Sequence, residues 1–154
     1  MERSSRAGYP PTSEWRFHRD ILAHRDHIHA VVHVHSPRAT ALACLPRPIP
    51  PFHYLVALGG GSDIRVADYA TLGTQQLSDN VLAALADRRA CLMANHGLIA
   101  LGTDLPKAVA LARELENLAH QYLLVLQTGQ EPALLTEEQM AEVRARIASY
   151  GKSS

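Results

Sequence analysis

The chain reads as a layered α/β or α+β domain, and three observations predict it. Short β-branched or apolar runs alternate with stretches of helical periodicity along the 154 residues. Apolar residues make up 47% and charged residues 19%, the balance of a globular chain with a core rather than a disordered one. No internal repeat and no Pro/Gly/Ser-rich linker divides the sequence, so residues 1–154 are expected to form a single domain, with 1–11 as a loop or truncation edge.

Met1 to Pro11 carries Ser4, Ser5, Gly8, Pro10 and Pro11 without periodicity, which predicts a loop. A helix is expected to begin at Thr12 or Ser13, either of which can cap, with Glu14 in its first turn and an apolar stripe of Trp15, His18, Ile21 and Leu22. Ala30-Val31-Val32-His33-Val34-His35 is a β-branched run and predicts a strand. Ser36-Pro37 signals a short helix through Leu45, since proline suits the first helical turn. Pro46, Pro48, Pro50 and Pro51 predict an extended loop, then a short helix over Tyr54–Leu58 stopped by Gly59-Gly60-Gly61. Ile64–Ala67 reads as a short strand. Gly73–Asp87 reads as a helix with Leu77, Val81, Leu82 and Leu85 inward. Ala90–Asn95 and Leu98–Leu101 read as two strands broken at His96-Gly97. A long helix is expected from about Asp104 to Gln127, with Val109, Leu115, Leu118, Tyr122 and Leu126 on one face. The last helix opens on Thr136-Glu137-Glu138-Gln139, a capping box, and ends near Gly151.

Composition excludes several classes. Lys plus Arg equals Asp plus Glu at 15 each, which gives no support to a broad nucleic-acid-binding face. No apolar run approaches the roughly 20 residues that span a bilayer, and the first fifteen residues lack a leader pattern. Cys44 and Cys91 sit in apolar stretches without CxxC spacing. Two buried, reduced thiols in a cytoplasmic protein are therefore expected. HExxH, Walker A and GxGxxG patterns are absent.

The chemistry gathers at the histidines. His33 and His35 are two apart on a strand, so both imidazoles point to one face and can take two corners of a tetrahedron. The pair alone also fits an ordinary polar strand face. His96 adds a third ligand type at the end of an apolar strand, beside Gly97, which suits a turn or a close approach. On these grounds His33, His35 and His96 are expected to bind one divalent metal ion, zinc by preference. Nine histidines make some chance pairs expected: His24, His27 and His29 fall at a helix end and loop, where a solvated role is expected, and His53, in the Pro-rich segment, is at most a neighbour of a metal site. His35 is followed by Ser36-Pro37-Arg38, so the dinuclear metallo-β-lactamase pattern does not continue. Glu14 is the carboxylate best placed to join the set, at a helix start where the dipole favours its charged form.

Five segments together carry a resemblance: Thr12–His18, Ala30–His35, Ile49–Tyr54, Tyr69–Thr74 and Asn95–Ala100. The chain resembles the class II, zinc-dependent aldolases, most closely the branch acting on L-fuculose 1-phosphate, from about Pro11 to Tyr150. The resemblance implies a three-layer α/β/α domain around a mainly antiparallel sheet, assembled as a homotetramer with sites between subunits. It implies zinc on His33, His35 and His96, with Glu14 as fourth ligand and acid/base. It implies that Thr12 and Ser13 hold a substrate phosphate, that Tyr54 reaches a neighbouring subunit's site, and that Tyr150 closes over the site. The implied reaction cleaves a ketose 1-phosphate to dihydroxyacetone phosphate and an aldehyde.

The alternative lysine Schiff base is disfavoured by the residues themselves. The chain has Lys107 at a helix start and Lys152 in the tail, neither in an apolar strand that would depress its pKa. The resemblance also implies further residues ahead of Pro11, with loops that finish the phosphate pocket, so an N-terminally truncated form of the domain is expected. Leu72 and Ile147 stand where close family members have Phe, and Thr12 where they have Ser. Sugar-phosphate epimerases, dehydratases and the adducin head, a non-catalytic interaction module, share the scaffold, so fold alone does not fix the reaction.

Overall fold

The computed structural model describes residues 10–149. Its centre is a four-stranded sheet in the order β1-β4-β3-β2, formed by β1 (Ala30–Val34), β2 (Val66–Ala67), β3 (Ala90–Met93) and β4 (Gly97–Gly102). β4 runs antiparallel to both β1 and β3, and β2 runs parallel to β3, so the sheet is mixed and mainly antiparallel. Helices cover both faces, giving the three-layer α/β/α arrangement. Side chains alternate along each strand, which sorts the core into two halves. Val32, Val34, Ala90, Leu92, Leu98 and Ala100 face α2 (Pro37–Ala43), α4 (Leu105–Gln127), α5 (Glu137–Ser149) and the 3₁₀ helix Tyr54–Gly59. Val31, Cys91, Met93, Ile99 and Leu101 face α1 (Trp15–His24) and α3 (Gln75–Ala84). Because both faces are covered, β3 and β4 are buried at every position and read as continuous apolar runs.

Several expected boundaries shift for identifiable reasons. The first helix starts at Trp15, with Glu14 rather than Thr12 or Ser13 at the cap position. Its buried residues are Phe17, Asp20 and Ile21, while Leu22 is exposed. The expected stripe fails because Trp15 lies between the Arg16 and Arg19 guanidiniums, 4.7 and 4.8 Å from its ring, instead of in the core. α3 begins after Thr74, whose hydroxyl accepts from the Leu77 N–H, because Gly73 adopts φ +74° and cannot continue a helix. Val109 is exposed on α4, and Cys44 is exposed at the end of α2, so only Cys91 is the buried thiol expected. Burial pushes the Cys91 pKa up to about 12, which keeps it protonated and inert. Other signals hold. Asp104 caps α4 by accepting from the Lys107 N–H at 2.8 Å, and the Thr136–Gln139 capping box closes in both directions. The expected end near Gly151 lies outside the described residues. No described helix is long and apolar enough to cross a membrane.

α1 is anchored to α3 by a buried carboxylate. Asp20 accepts from Arg19 Nε (2.6 Å), Gln75 Nε2 (2.8 Å) and Ser78 Oγ (2.7 Å). Arg25 adds a second tie, donating to the Leu85 and Arg88 carbonyls at the end of α3. The Arg19 hydrogen bond, with those of Gln75 and Ser78, holds the Asp20 pKa well below the usual carboxylate range against its burial. A carboxyl depressed in the folded state stabilises the fold above its unfolded pKa and loses that contribution as pH falls. Asp20→Asn is therefore expected to lower stability at pH 7 by about 1–3 kcal/mol. The gap from the parent should narrow as the pH drops below about 4, where the unfolded carboxyl takes up its proton. Thermal unfolding from pH 7 to pH 2 measures this; a gap independent of pH would mean that the loss is one of packing.

Candidate metal centre

Three strand ends and a helix start meet at one edge of the sheet. β1 delivers His33 and, one residue past its end, His35. In the register His33 lies opposite Ile99, so its side chain falls on the α1 face while Val32 and Val34 enter the other half of the core. His96 comes from the three-residue turn between β3 and β4, where Met93 pairs with Gly97. That turn needs a left-handed residue, and Asn95 supplies it at φ +55°, a conformation Asn tolerates better than most. Glu14 arrives from the opposite side at the start of α1.

The four side chains converge. One ligand atom from each of Glu14, His33, His35 and His96 lies within 4.8 Å of all the others. His33 Nε2 is 2.9 Å from His35 Nε2 and 3.1 Å from Glu14 Oε2, and His96 Nε2 is 3.2 Å from Glu14 Oε1. A tetrahedral zinc site with bonds of about 2.0–2.1 Å has ligand atoms about 3.3 Å apart, and these three separations, two of them to different Glu14 oxygens, are near that value. His33 Nδ1–H donates to the Leu98 carbonyl at 3.1 Å, which fixes its tautomer and leaves Nε2 as a lone pair aimed into the cluster. Burial pushes the His33 pKa down, and His96 and His35 add to this, against the pull of Glu14 and the Leu98 carbonyl. A neutral imidazole is the metal-binding form.

The cluster has an unmet need as well as a shape. Glu14 is buried, and its Oε1, although 3.2 Å from His96 Nε2, makes no hydrogen bond of sound geometry. Leaving a buried polar atom so costs about 1–3 kcal/mol, more when it is charged. A divalent cation among the four removes that cost, and the nitrogen-rich donor set suits zinc. Among the described residues this is the one cluster of three or more His, Cys, Asp or Glu side chains so arranged.

The remaining residues singled out in the sequence divide. Thr12 and Ser13 lie exposed beside Glu14, where Thr12 Oγ1 accepts from the Glu14 N–H at 3.4 Å. Tyr54 is not brought to the cluster. It is 52% exposed on the 3₁₀ helix, which packs on the opposite face of the sheet. Tyr150 lies outside the described residues. His53 caps the 3₁₀ helix, its Nδ1 accepting from the Leu55 N–H at 3.3 Å. Burial pushes the pKa of His18, one turn after Glu14, below the usual imidazole value, against the pull of Glu14. Lys107 is exposed and bound to Asp104 at 2.9 Å, without the apolar pocket that a Schiff-base lysine needs. Sequence reasoning missed Asp20 and its partners. Their signal is weak, since a polar residue on a helix is ordinarily solvated.

Residues 2–123 match the family described as the class II aldolase and adducin N-terminal domain. The chain is 53% identical over 144 residues to a 5-methylthioribulose-1-phosphate/5-deoxyribulose-1-phosphate aldolase of Rhodospirillum rubrum, covering 94% of this chain and 65% of that protein. It is 44% identical over 144 residues to L-fuculose phosphate aldolase of Escherichia coli, covering 94% of this chain and 67% of that one. A solved L-fuculose 1-phosphate aldolase superposes with a TM-score of 0.85 at 41% identity, over 90% of this chain and 64% of its own. The chain thus spans about two thirds of the length of these relatives. With the fold and the family match in agreement, the chain belongs to the class II aldolase and adducin N-terminal domain family.

Proposed function

We propose that the chain carries the metal centre of a zinc-dependent lyase that cleaves a ketose 1-phosphate into dihydroxyacetone phosphate and an aldehyde. The observation that carries this reading is the convergence of His33, His35, His96 and Glu14, with a buried Glu14 oxygen that makes no well-formed hydrogen bond. Cleaving a carbon–carbon bond beside a carbonyl leaves negative charge on that carbonyl's oxygen, and a divalent cation on the three histidines supplies Lewis-acid stabilisation of it. Glu14 moves the proton at carbon. The Thr12 and Ser13 hydroxyls and the free N–H groups at the start of α1 bind the phosphate. Tyr54, exposed on the far face, serves a neighbouring subunit's site in a homotetramer, handling the proton on oxygen, and Tyr150 closes over the substrate.

The relatives' names favour one refinement. The protein 53% identical acts on 5-methylthioribulose 1-phosphate and 5-deoxyribulose 1-phosphate, and those 44% identical on L-fuculose phosphate. Ribulose 1-phosphates bearing an apolar group at C5 are therefore the first substrates to try. Leu72, 61% exposed, is smaller than the phenylalanine that the family resemblance implies at this position. Incubating the chain and zinc with each of the three ketose 1-phosphates is expected to release dihydroxyacetone phosphate. Glu14→Gln is expected to lower kcat by about 10²–10⁴-fold, the usual contribution of a positioned acid/base. Epimerisation of a pentulose 5-phosphate without cleavage would replace this reading with the epimerase one. Zinc binding without turnover of any sugar phosphate would favour an interaction module like the adducin head.

A further inference from the structure

Glu14 reaches the three histidines from a backbone that its own helix does little to hold. It occupies the cap position of α1 at φ −104° and ψ 21°, and no side chain caps that helix. Its N–H has only the long 3.4 Å bond to Thr12 Oγ1. Helix starts with unsatisfied N–H groups fray unless something outside the helix restrains them. Here one turn bond, Trp15 N–H to the Thr12 carbonyl at 3.2 Å, spans Glu14, and a restraint from outside comes from residue 73. Gly73 lies so close to the chain before the helix that a Cβ there would stand 3.0 Å from the Ser13 carbonyl oxygen. Its own carbonyl accepts from Arg16 Nη1 at 2.5 Å. Gly73 thus flanks Glu14 on both sides, bonded to Arg16 and packed close to the Ser13 carbonyl.

Both partners, Arg16 and Gly73, are themselves fixed. The Arg16 guanidinium lies over the Trp15 ring, which sets its plane. The Gly73 loop is closed by Thr74, whose N–H and Oγ1 donate to the Thr71 carbonyl at 3.3 and 2.7 Å, and α3 behind it is bound to α1 through Asp20. The φ of +74° at Gly73 aims its carbonyl at Arg16, and a side chain there would be strained.

We propose that Arg16 and Gly73 form a clamp that positions Glu14 in the metal centre. Arg16 is a positioning residue: it touches neither the histidines' ligand atoms nor a metal, and acts through the backbone of Ser13 and Glu14. The inference rests on the four-residue cluster being a metal site, and its test separates the two ideas. Zinc affinity, measured by competition, and the visible spectrum of the cobalt-loaded chain are compared for the parent, Arg16→Met, Arg16→Lys, Gly73→Ala, Glu14→Gln and the double variant Glu14→Gln/Arg16→Met. Arg16→Met and Gly73→Ala are each expected to weaken zinc binding by roughly ten- to a hundredfold, the usual cost of losing support behind a ligand. Their cobalt spectra should move toward that of Glu14→Gln, and Arg16→Lys should recover part of the loss. Because Arg16 acts through Glu14, the double variant should bind zinc no more weakly than Glu14→Gln alone. Parent affinity and a parent cobalt spectrum in both Arg16→Met and Gly73→Ala would overturn the clamp, as would losses that add in the double variant. Should Arg16→Met not fold, Gly73→Ala decides by the same measurements. A parent chain that binds neither ion removes the metal centre itself, and the clamp with it.

Discussion

Replacing His33 with alanine is expected to weaken zinc binding by about 10²–10³-fold, because a four-ligand zinc site is worth about 10–16 kcal/mol and one ligand about a quarter of that. Ketose 1-phosphate cleavage should fall with it. His33 is the most constrained of the three imidazoles. Its Nδ1 is committed to the Leu98 carbonyl, and its Nε2 lies 2.9 Å from His35 and 3.1 Å from Glu14. The effect on the metal-free protein should be small by comparison. Alanine frees the Leu98 carbonyl but also relieves the crowding of three imidazoles whose ring centres lie 4.7–5.0 Å apart. The diagnostic is therefore the response to metal. At a zinc concentration a thousand times its Kd, the parent gains about 4 kcal/mol. For a chain of this size that raises Tm by about 10 °C. His33→Ala at the same zinc concentration should show a much smaller rise. Equal rises in parent and variant would remove His33 from the site.

The residues most legible in the sequence were those whose function depends on spacing along one element. His33 and His35 point together because a strand alternates, and this holds although β1 itself ends at Val34. His96 was legible because an apolar run ended at Asn-His-Gly, though the break falls at residues 94–96 and Gly97 already belongs to β4. Glu14 was placed at a helix start, though as the cap residue rather than inside the first turn. What stayed hidden depends on contacts between distant segments. Asp20 carries no signal of its burial in the sequence, because its partners Gln75 and Ser78 come from α3. Trp15 looked like core because it is large and apolar, but two arginines of its own helix hold it at the surface. Nothing near Arg16 in the sequence points to Gly73, 57 residues away. Tyr54 shows the opposite limit. Its placement away from the cluster follows from the 3₁₀ helix packing on the other half of the core.

Gly97→Ala is expected to damage fold and metal centre together, which sets it apart from the loss of a ligand. A Cβ at residue 97 would stand 2.5 Å from the Val34 carbonyl oxygen, 2.9 Å from His35 Cδ2 and 3.3 Å from His33 Cε1. The first contact is with backbone, so no rotamer change relieves it. β1 must move away from β4 at the point where Val34 pairs with Leu98. Forced overpacking of this kind costs about 1–3 kcal/mol, and a backbone contact in a fully buried strand belongs at the upper end. The same shift carries His33 and His35 outward, so zinc affinity should fall as well. Gly129→Ala is the control. Gly129 has φ +71° with nothing within 4 Å of a built Cβ, so only backbone strain of about 1–2 kcal/mol is expected, with zinc affinity unchanged. Chemical denaturation of the metal-free chains and zinc titration of the same samples separate the three variants. His33→Ala should lose affinity alone, Gly129→Ala stability alone, and Gly97→Ala both. Parent-like affinity in Gly97→Ala would mean that the histidine pair does not depend on the close approach of β4, and that the bare Cα at residue 97 serves the hairpin rather than the metal.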